Sequence, residues 1–147
     1  MHIVRFSNWE ERLAVYLARV EEEPFVWGTH DCALFAASCV NAQTGVDPAA
    51  AFRGTYDTRI GAAEALRDKG QGTLLKTVRE WFEAIPVPFA KRGDLVMRDT
   101  SERDRALGVC LGLYSYFVGE EQGLQRLVAF PTKECRYAFS VPFEAAE

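Results

Sequence analysis

Residues 27–40 read W-G-T-H-D-C-A-L-F-A-A-S-C-V, and the rest of the chain is arranged around this stretch. A loop carrying Trp27 and Gly28 passes through Thr29, His30 and Asp31 into an apolar run that opens at Cys32. The run predicts a helix from about Asp31 to Gln43, with Asp31 as N-cap and Gly45, after Thr44, as a left-handed C-cap. Cys32, Ala33, Leu34, Phe35, Ala36, Ala37, Cys39, Val40 and Ala42 leave little polar surface, so the helix is expected to be central and packed on more than one side. A thiol at its start sits where a cysteine nucleophile is usually presented, because unpaired N–H groups and partial positive charge favour the thiolate there.

Upstream, Trp9, Leu13, Tyr16, Leu17 and Val20 recur at helical spacing between Asn8 and Glu23, with Ser7 or Asn8 as cap and Pro24 as stop. The charged face of this helix, Glu10, Glu11, Arg12, Arg19, Glu21 and Glu22, reads as solvated. Downstream, Asp47 and Pro48 predict a short helix ending at Gly54. Asp57 or Thr58 caps a third long helix stopped by Gly70, and Thr73 to Ala84 repeats the pattern with Leu74, Leu75, Val78, Trp81 and Phe82 facing inwards. Two prolines in I-P-V-P-F-A-K-R-G-D then end the helical half, and Gly93-Asp94 turns into Leu95-Val96-Met97. Short strands are expected at 106–112, 113–118, 124–130 and 135–141. Helices first and antiparallel strands afterwards define one α+β domain, with the sheet packed on the central helix.

The 147 residues, 48% of them hydrophobic, suit a single core. A net charge of -4 argues against a nucleic-acid binder. No apolar stretch approaches the ~20 residues of a membrane span, and the N-terminus lacks the layout of a signal peptide, so synthesis and folding in a cytosol are expected. Cys32, Cys39, Cys110 and Cys135 contain no C-x-x-C pair. Free, mostly buried thiols are the preferred reading over a nucleophile or an iron–sulfur or zinc site, and no metal or cofactor is expected. Trp27 reads either as a loop anchor or as an aromatic wall beside Cys32, and Arg53 and Arg92 as loop braces whose carboxylate partners stay open.

Three stretches, W-G-T-H-D-C-A-L-F, R-G-D-L-V-M and A-L-G-V-C-L-G, resemble in order and spacing the landmarks of NlpC-type papain-like cysteine peptidases, which cut peptide bonds in bacterial cell walls. The resemblance spans about residues 24 to 115. It implies a papain-like fold in which Cys32 takes the nucleophile's position and Asp94 the acidic residue opening the first strand of the sheet. Finer phrasing, W-G-x-H-D-C-A-x-F-A, T-G-x-D-x-A-A-x-F-R-G and A-L-G-V-x-x-G, is similar to small proteins encoded among bacteriophage and prophage tail genes, grouped as a domain of unknown function. That resemblance implies a structural part of the virion's tail tip, made in the host bacterial cytoplasm and contacting other tail-tip and hub proteins.

The family's histidine position falls on Ala106, which cannot hold a thiolate or protonate a leaving amine. Only His2 and His30 could substitute. His30 stands two residues before Cys32, and its ring would have to bend back over the sulfur; His2 lies in a terminal segment. The expected protein is therefore a peptidase-like fold without a working dyad. The alternative is a cell-wall-degrading cysteine peptidase or amidase acting on peptidoglycan, with Cys32 as nucleophile and His30 as base. Alternation along 106–112 puts Ala106, Gly108 and Cys110 on one face. If that face meets the central helix, as the resemblance implies, Cys39 and Cys110 become neighbours.

Overall fold

The computed structural model describes residues 3–100, 104–121 and 124–143, with backbone only at 120, 121, 124 and 125. The helices are α1 (Trp9–Val20), α2 (Cys32–Thr44), α3 (Arg59–Lys69) and α4 (Leu74–Trp81). The strands are β1 (Ala84–Ile85), β2 (Leu95–Asp99), β3 (Arg105–Cys110), β4 (Tyr114–Glu121), β5 (Leu124–Pro131) and β6 (Tyr137–Phe139). They form one antiparallel sheet in the order β1-β6-β2-β3-β4-β5. The domain is α+β, with α2 against the sheet and α1 against α2. No helix among the described residues is long and apolar enough to cross a membrane.

Local chemistry sets most helix ends. Asp31 Oδ1 accepts from the Leu34 N–H at 3.0 Å, and Gly45, at φ +79°, closes α2 with its N–H on the Asn41 carbonyl. Thr58 and Thr73 cap α3 and α4 in the same way, through the N–H groups of Gly61 and Lys76. Four expectations are corrected. Asn8 precedes α1 without a side-chain capping bond. Residues 48–54 form successive turns rather than a helix, because Arg53 reaches back to Asp47 and ties the segment into a loop. The fourth helix ends at Trp81, with Phe82 as its cap, and Ala84–Ile85 instead add a strand beside β6. Trp81 is half-exposed rather than inward.

The core divides on the two faces of the sheet. Ala36 and Val40 of α2 pack with Leu95, Met97, Leu107 and Phe139, and Phe35 and Cys39 pack with Val109, Val118 and the apolar side of α1. On the far side, Val96, Ala106, Cys110, Phe117, Cys135 and Ala138 form a separate cluster. The face of β3 that meets α2 is therefore Leu107 and Val109, opposite to the expected one. Small residues on the helix, not on the strand, allow the close approach. Cys39 and Cys110 consequently lie on opposite faces of the sheet, and the neighbour of Cys110 in its cluster is Cys135.

The two halves of the sheet join through a short ladder. β2 and β3 pair from Leu95↔Val109 to Asp99↔Arg105, and β4 and β5 from Tyr114↔Pro131 to Glu121↔Leu124. β3 and β4 pair only at Val109↔Tyr116 and Cys110↔Ser115. Gly108 permits this approach, since a Cβ there would lie 2.4 Å from the Tyr116 carbonyl oxygen. Beyond Val109↔Tyr116 the pairing ends, and residues of both strands line a cavity shared with Cys32.

Candidate functional site

The start of α2 is held by one buried carboxylate. Besides capping Leu34, Asp31 accepts through Oδ2 from the Gly28 N–H at 3.0 Å and from the Tyr56 hydroxyl at 2.6 Å. Gly28, at φ +81°, donates this bond while the Tyr56 carbonyl oxygen lies 1.8 Å from where its Cβ would be. Its own carbonyl accepts from the Gly54 N–H at 2.9 Å. The loop ahead of Cys32 is thus clamped to residues 54–56. Arg53 completes the clamp, binding both oxygens of Asp47 and donating to Ser38 Oγ at 2.9 Å and the Leu34 carbonyl at 3.3 Å.

A cavity of about 640 Å³ lies over this helix start. Phe25, Trp27, Phe52, Leu66 and Leu74 line it together with Cys32 and Ala33, and so do Ala106 and Leu107 of β3 and Phe117 and Val118 of β4. Trp27 lines it while stacking edge-on against Phe25, ring centroids 4.8 Å apart. Arg59, Arg98, Thr100, Asp104 and Arg105 border the β2–β3 end, where Arg59 pairs with Asp104 and Arg105 with Asp99.

Cys32 packs against the cluster that contains Ala106 and is the one thiol of the four that is not fully buried. Burial pushes its pKa up to about 11, and the neighbouring Asp31 carboxylate pushes in the same direction. Amide groups of Leu107, Ala33 and Cys32 itself oppose this without overcoming it. At neutral pH roughly one such thiol in 10⁴ is ionised. The helix terminus does not produce the thiolate that its position suggests.

His30 is buried and does not line the cavity. Its ring meets Phe35 edge-on at 6.2 Å, and Nδ1 lies 3.6 Å from Glu23 Oε2. Two backbone bonds with Val26 hold the residue in a tight loop. Among the described residues Nε2 has no hydrogen-bond partner, and burial lowers the pKa of the ring. His2 lies outside the described residues. No imidazole lines the cavity among the described residues, and Ala106 stands at its edge with 8% exposure.

Asp94 lies outside the cavity, at the far end of β2. Its Oδ1 accepts from Arg5 Nη2 at 2.7 Å and from the Val141 N–H at 3.0 Å, and Oδ2 from the Lys91 N–H at 2.9 Å. Arg5 also donates to the carbonyls of Val141 and Arg92. This buried pair ties both ends of the chain to the turn before β2. The four cysteines are distributed among the cavity and two core clusters, and no three metal-ligating side chains gather among the described residues.

Reading the residues in sequence brings out Trp27, Asp31 and Cys32, which the structure does bring together. It misses Tyr56, whose hydroxyl completes the Asp31 site from 25 residues away, and Phe52, which adds an aromatic wall. Phe52 has a sequence signal in the F-R-G step of the T-G-x-D-x-A-A-x-F-R-G stretch, whereas Tyr56, two residues beyond Gly54, has none.

This geometry defines a papain-like α+β arrangement: a cysteine at the head of a central helix, beside an antiparallel sheet and lining a cleft. Among solved structures, the chain is similar to the crystal structure of the NlpC/p60 domain of the peptidoglycan hydrolase SagA. The TM-score is 0.52 at 17% identity, over 88% of this chain and 97% of that one. The fold is therefore NlpC-like. In sequence, the chain belongs to the family described as a domain of unknown function, DUF6950, whose profile matches residues 4–141. No curated protein matches it.

Proposed function

We propose that this chain is a non-hydrolytic, peptidase-like module that serves as a structural component of a bacteriophage or prophage-derived tail tip, beside other tail-tip and hub proteins in the virion. The observation that carries the non-hydrolytic half is the cleft over Cys32. Its thiol is protonated at neutral pH, and no imidazole among the described residues lines the cavity to deprotonate it. Loss of one member of a catalytic unit can cost nearly as much as loss of all of them, on the order of 10⁶ in kcat for a protease triad. The tail assignment is supported by the motif phrasing W-G-x-H-D-C-A-x-F-A and T-G-x-D-x-A-A-x-F-R-G and by the NlpC-like fold common to both readings.

The test has two arms. Purified protein incubated with bacterial peptidoglycan is expected to release no fragments detectable by mass spectrometry, and iodoacetamide should modify Cys32 no faster than a free thiol at pH 6–7. Particles carrying Cys32→Ala are expected to assemble normally. Fragment release that disappears in Cys32→Ala would restore the alternative, a cell-wall cysteine peptidase or amidase. Tail tape-measure and hub genes on either side of the coding sequence would support the tail assignment, and a setting free of tail genes would remove it.

A further inference from the structure

We infer that β5 is a self-association edge: two copies of this chain pair their β5 strands antiparallel about a twofold axis at Leu127, which joins two six-stranded sheets into one. The pairing uses no part of the cleft, since residues 126–131 do not line the cavity over Cys32, and it stands whether or not the thiol reacts.

The main-chain argument comes from the phase of the ladders. β5 stands at one end of the strand order, and among the described residues no strand pairs with its outer side. Leu111 N–H bonds to the Tyr114 carbonyl, so Tyr114 and Tyr116 turn their peptide groups to β3, and Ser115, Phe117 and Gly119 turn theirs to β5. The Thr132 N–H on the Leu113 carbonyl gives the same phase from β5. The register Ser115↔Phe130, Phe117↔Val128 and Gly119↔Arg126 then uses the groups of Phe130, Val128 and Arg126. Those of Leu127 and Ala129 point outward, and no hydrogen bond reaches them among the described residues. The strand lacks the devices that usually blunt an edge: residues 124–130 contain no proline and a single charge, Arg126.

The choice of a second copy follows from the two ends of the sheet. At the other end β1 is only Ala84–Ile85 and runs into Pro86, too short an edge to carry a head-to-tail stack. β5 against β5 remains, and a twofold joins like to like and closes at the dimer. Charge and proline set the register. A twofold at Arg126 would place two guanidinium groups opposite one another, and one at Val128 or Ala129 would draw Pro131, which has no N–H, into the ladder. A twofold at Leu127 sets Arg126 against Val128 and Leu127 against Leu127, while the outward groups of Ala129 meet those of Gln125. On the α1 side of the sheet, Leu127 and Ala129 line a groove of about 510 Å³ with Leu17 and Ala18; Leu127 is half-buried and Ala129 exposed. The second copy's Leu127 falls on the same side and covers apolar surface at the open edge of this groove. Arg126 meets Glu22 there in an exposed bridge at 3.1 Å, which contributes little and yields readily.

The experiment uses the full chain in sedimentation equilibrium over a concentration series. The contact is a strand ladder rather than a broad face, so a monomer–dimer equilibrium with Kd of about 10–100 μM is expected. Amide exchange at Leu127 and Ala129 should slow as the dimer fills, while Phe117 and Val128, already bonded within the sheet, should change little. Ala129→Pro removes an outward N–H that the monomer does not use and should weaken the dimer about tenfold or more. Leu127→Lys sets two cations opposite each other and should leave monomer, as should Leu127→Glu, and an equal mixture of the two variants should restore a dimer. Should a variant fail to fold, concentration-dependent exchange in the unaltered protein decides alone. The inference is overturned by a chain that stays monomeric up to about 1 mM, by assemblies that grow beyond the dimer, by a dimer in which Leu127 and Ala129 exchange as in the monomer, or by one that survives both Ala129→Pro and Leu127→Lys.

Discussion

Removing the Asp31 carboxylate separates a structural role for this residue from a catalytic one. In Asp31→Ala the cap on α2 is lost, at about 1 kcal/mol. The Tyr56 hydroxyl and the Gly28 N–H lose their acceptor in a site where Asp31 is 1% exposed, and each such orphaned donor costs about 1–3 kcal/mol. The sum is roughly 3–7 kcal/mol, a large share of the ~5–15 kcal/mol that holds a domain together. Urea unfolding followed by tryptophan fluorescence should show the midpoint fall with the slope unchanged. Tyr56→Phe alone should cost less, about 1–2 kcal/mol, and the two together should fall short of additivity by about 1 kcal/mol or more. Asp31→Ser should recover part of the loss, because serine can still cap Leu34 but is too short to hold Tyr56. A cost below about 1 kcal/mol for Asp31→Ala, or strict additivity with Tyr56→Phe, would refute the account of the clamp. Because the Asp31 charge helps to hold the thiol protonated, the destabilised variant should also show faster, not slower, alkylation of Cys32.

Three further outcomes follow from neighbouring geometry. Asp94→Ala leaves the buried Arg5 guanidinium without its carboxylate and should cost about 3–5 kcal/mol in urea unfolding; a loss below about 1 kcal/mol would place the pair among weak surface bridges. Gly28→Ala should destabilise far more than Gly54→Ala in thermal melts. Both residues have positive φ, but a Cβ at Gly28 collides with the Tyr56 carbonyl while Gly54 faces nothing within 4 Å, which leaves only the left-handed strain of about 1–2 kcal/mol. Equal effects at the two positions would contradict this. His30 is buried with its pKa held below the usual 6.5, so the unfolded chain takes up the proton first. Its contribution is complete above about pH 6.5 and is lost as pH falls through the lowered folded value. His30→Phe should flatten the loss of stability as pH falls below about 6.5, and an unchanged dependence would count against it.

How much of this was legible beforehand differs between fold and site. Helix α2 and its two caps follow from contacts three or four residues apart, so Asp31, Cys32 and Gly45 fall where expected. Strands β2 to β6 announce themselves by β-branched and aromatic runs between turn residues. The two-residue β1 does not, because Ala84 and Ile85 pair only once β6 lies beside them. Likewise, period-two alternation separates Ala106 and Cys110 from Leu107 and Val109 but carries no label for which set faces the helix. That was decided by volume, since α2 already offers Ala36 and Cys39 to the sheet and the bulkier strand face fills the space between.

The site divides in the same way. The sequence by itself determined that a cysteine opens a central apolar helix and that residue 106, which the resemblance to NlpC-type peptidases aligns with their histidine, is an alanine, because both are matters of residue identity at a position. Only the tertiary structure decided that His30 turns to Phe35 and Glu23, that Asp94 anchors Arg5 and Val141, that Tyr56 completes the Asp31 clamp, and that β3 and β4 pair only at Val109↔Tyr116 and Cys110↔Ser115. These are contacts between residues distant in the chain, and no local pattern encodes them. The protonation of Cys32 belongs with them: the helix terminus that favours a thiolate is a local feature, while the burial that outweighs it depends on everything packed around the sulfur.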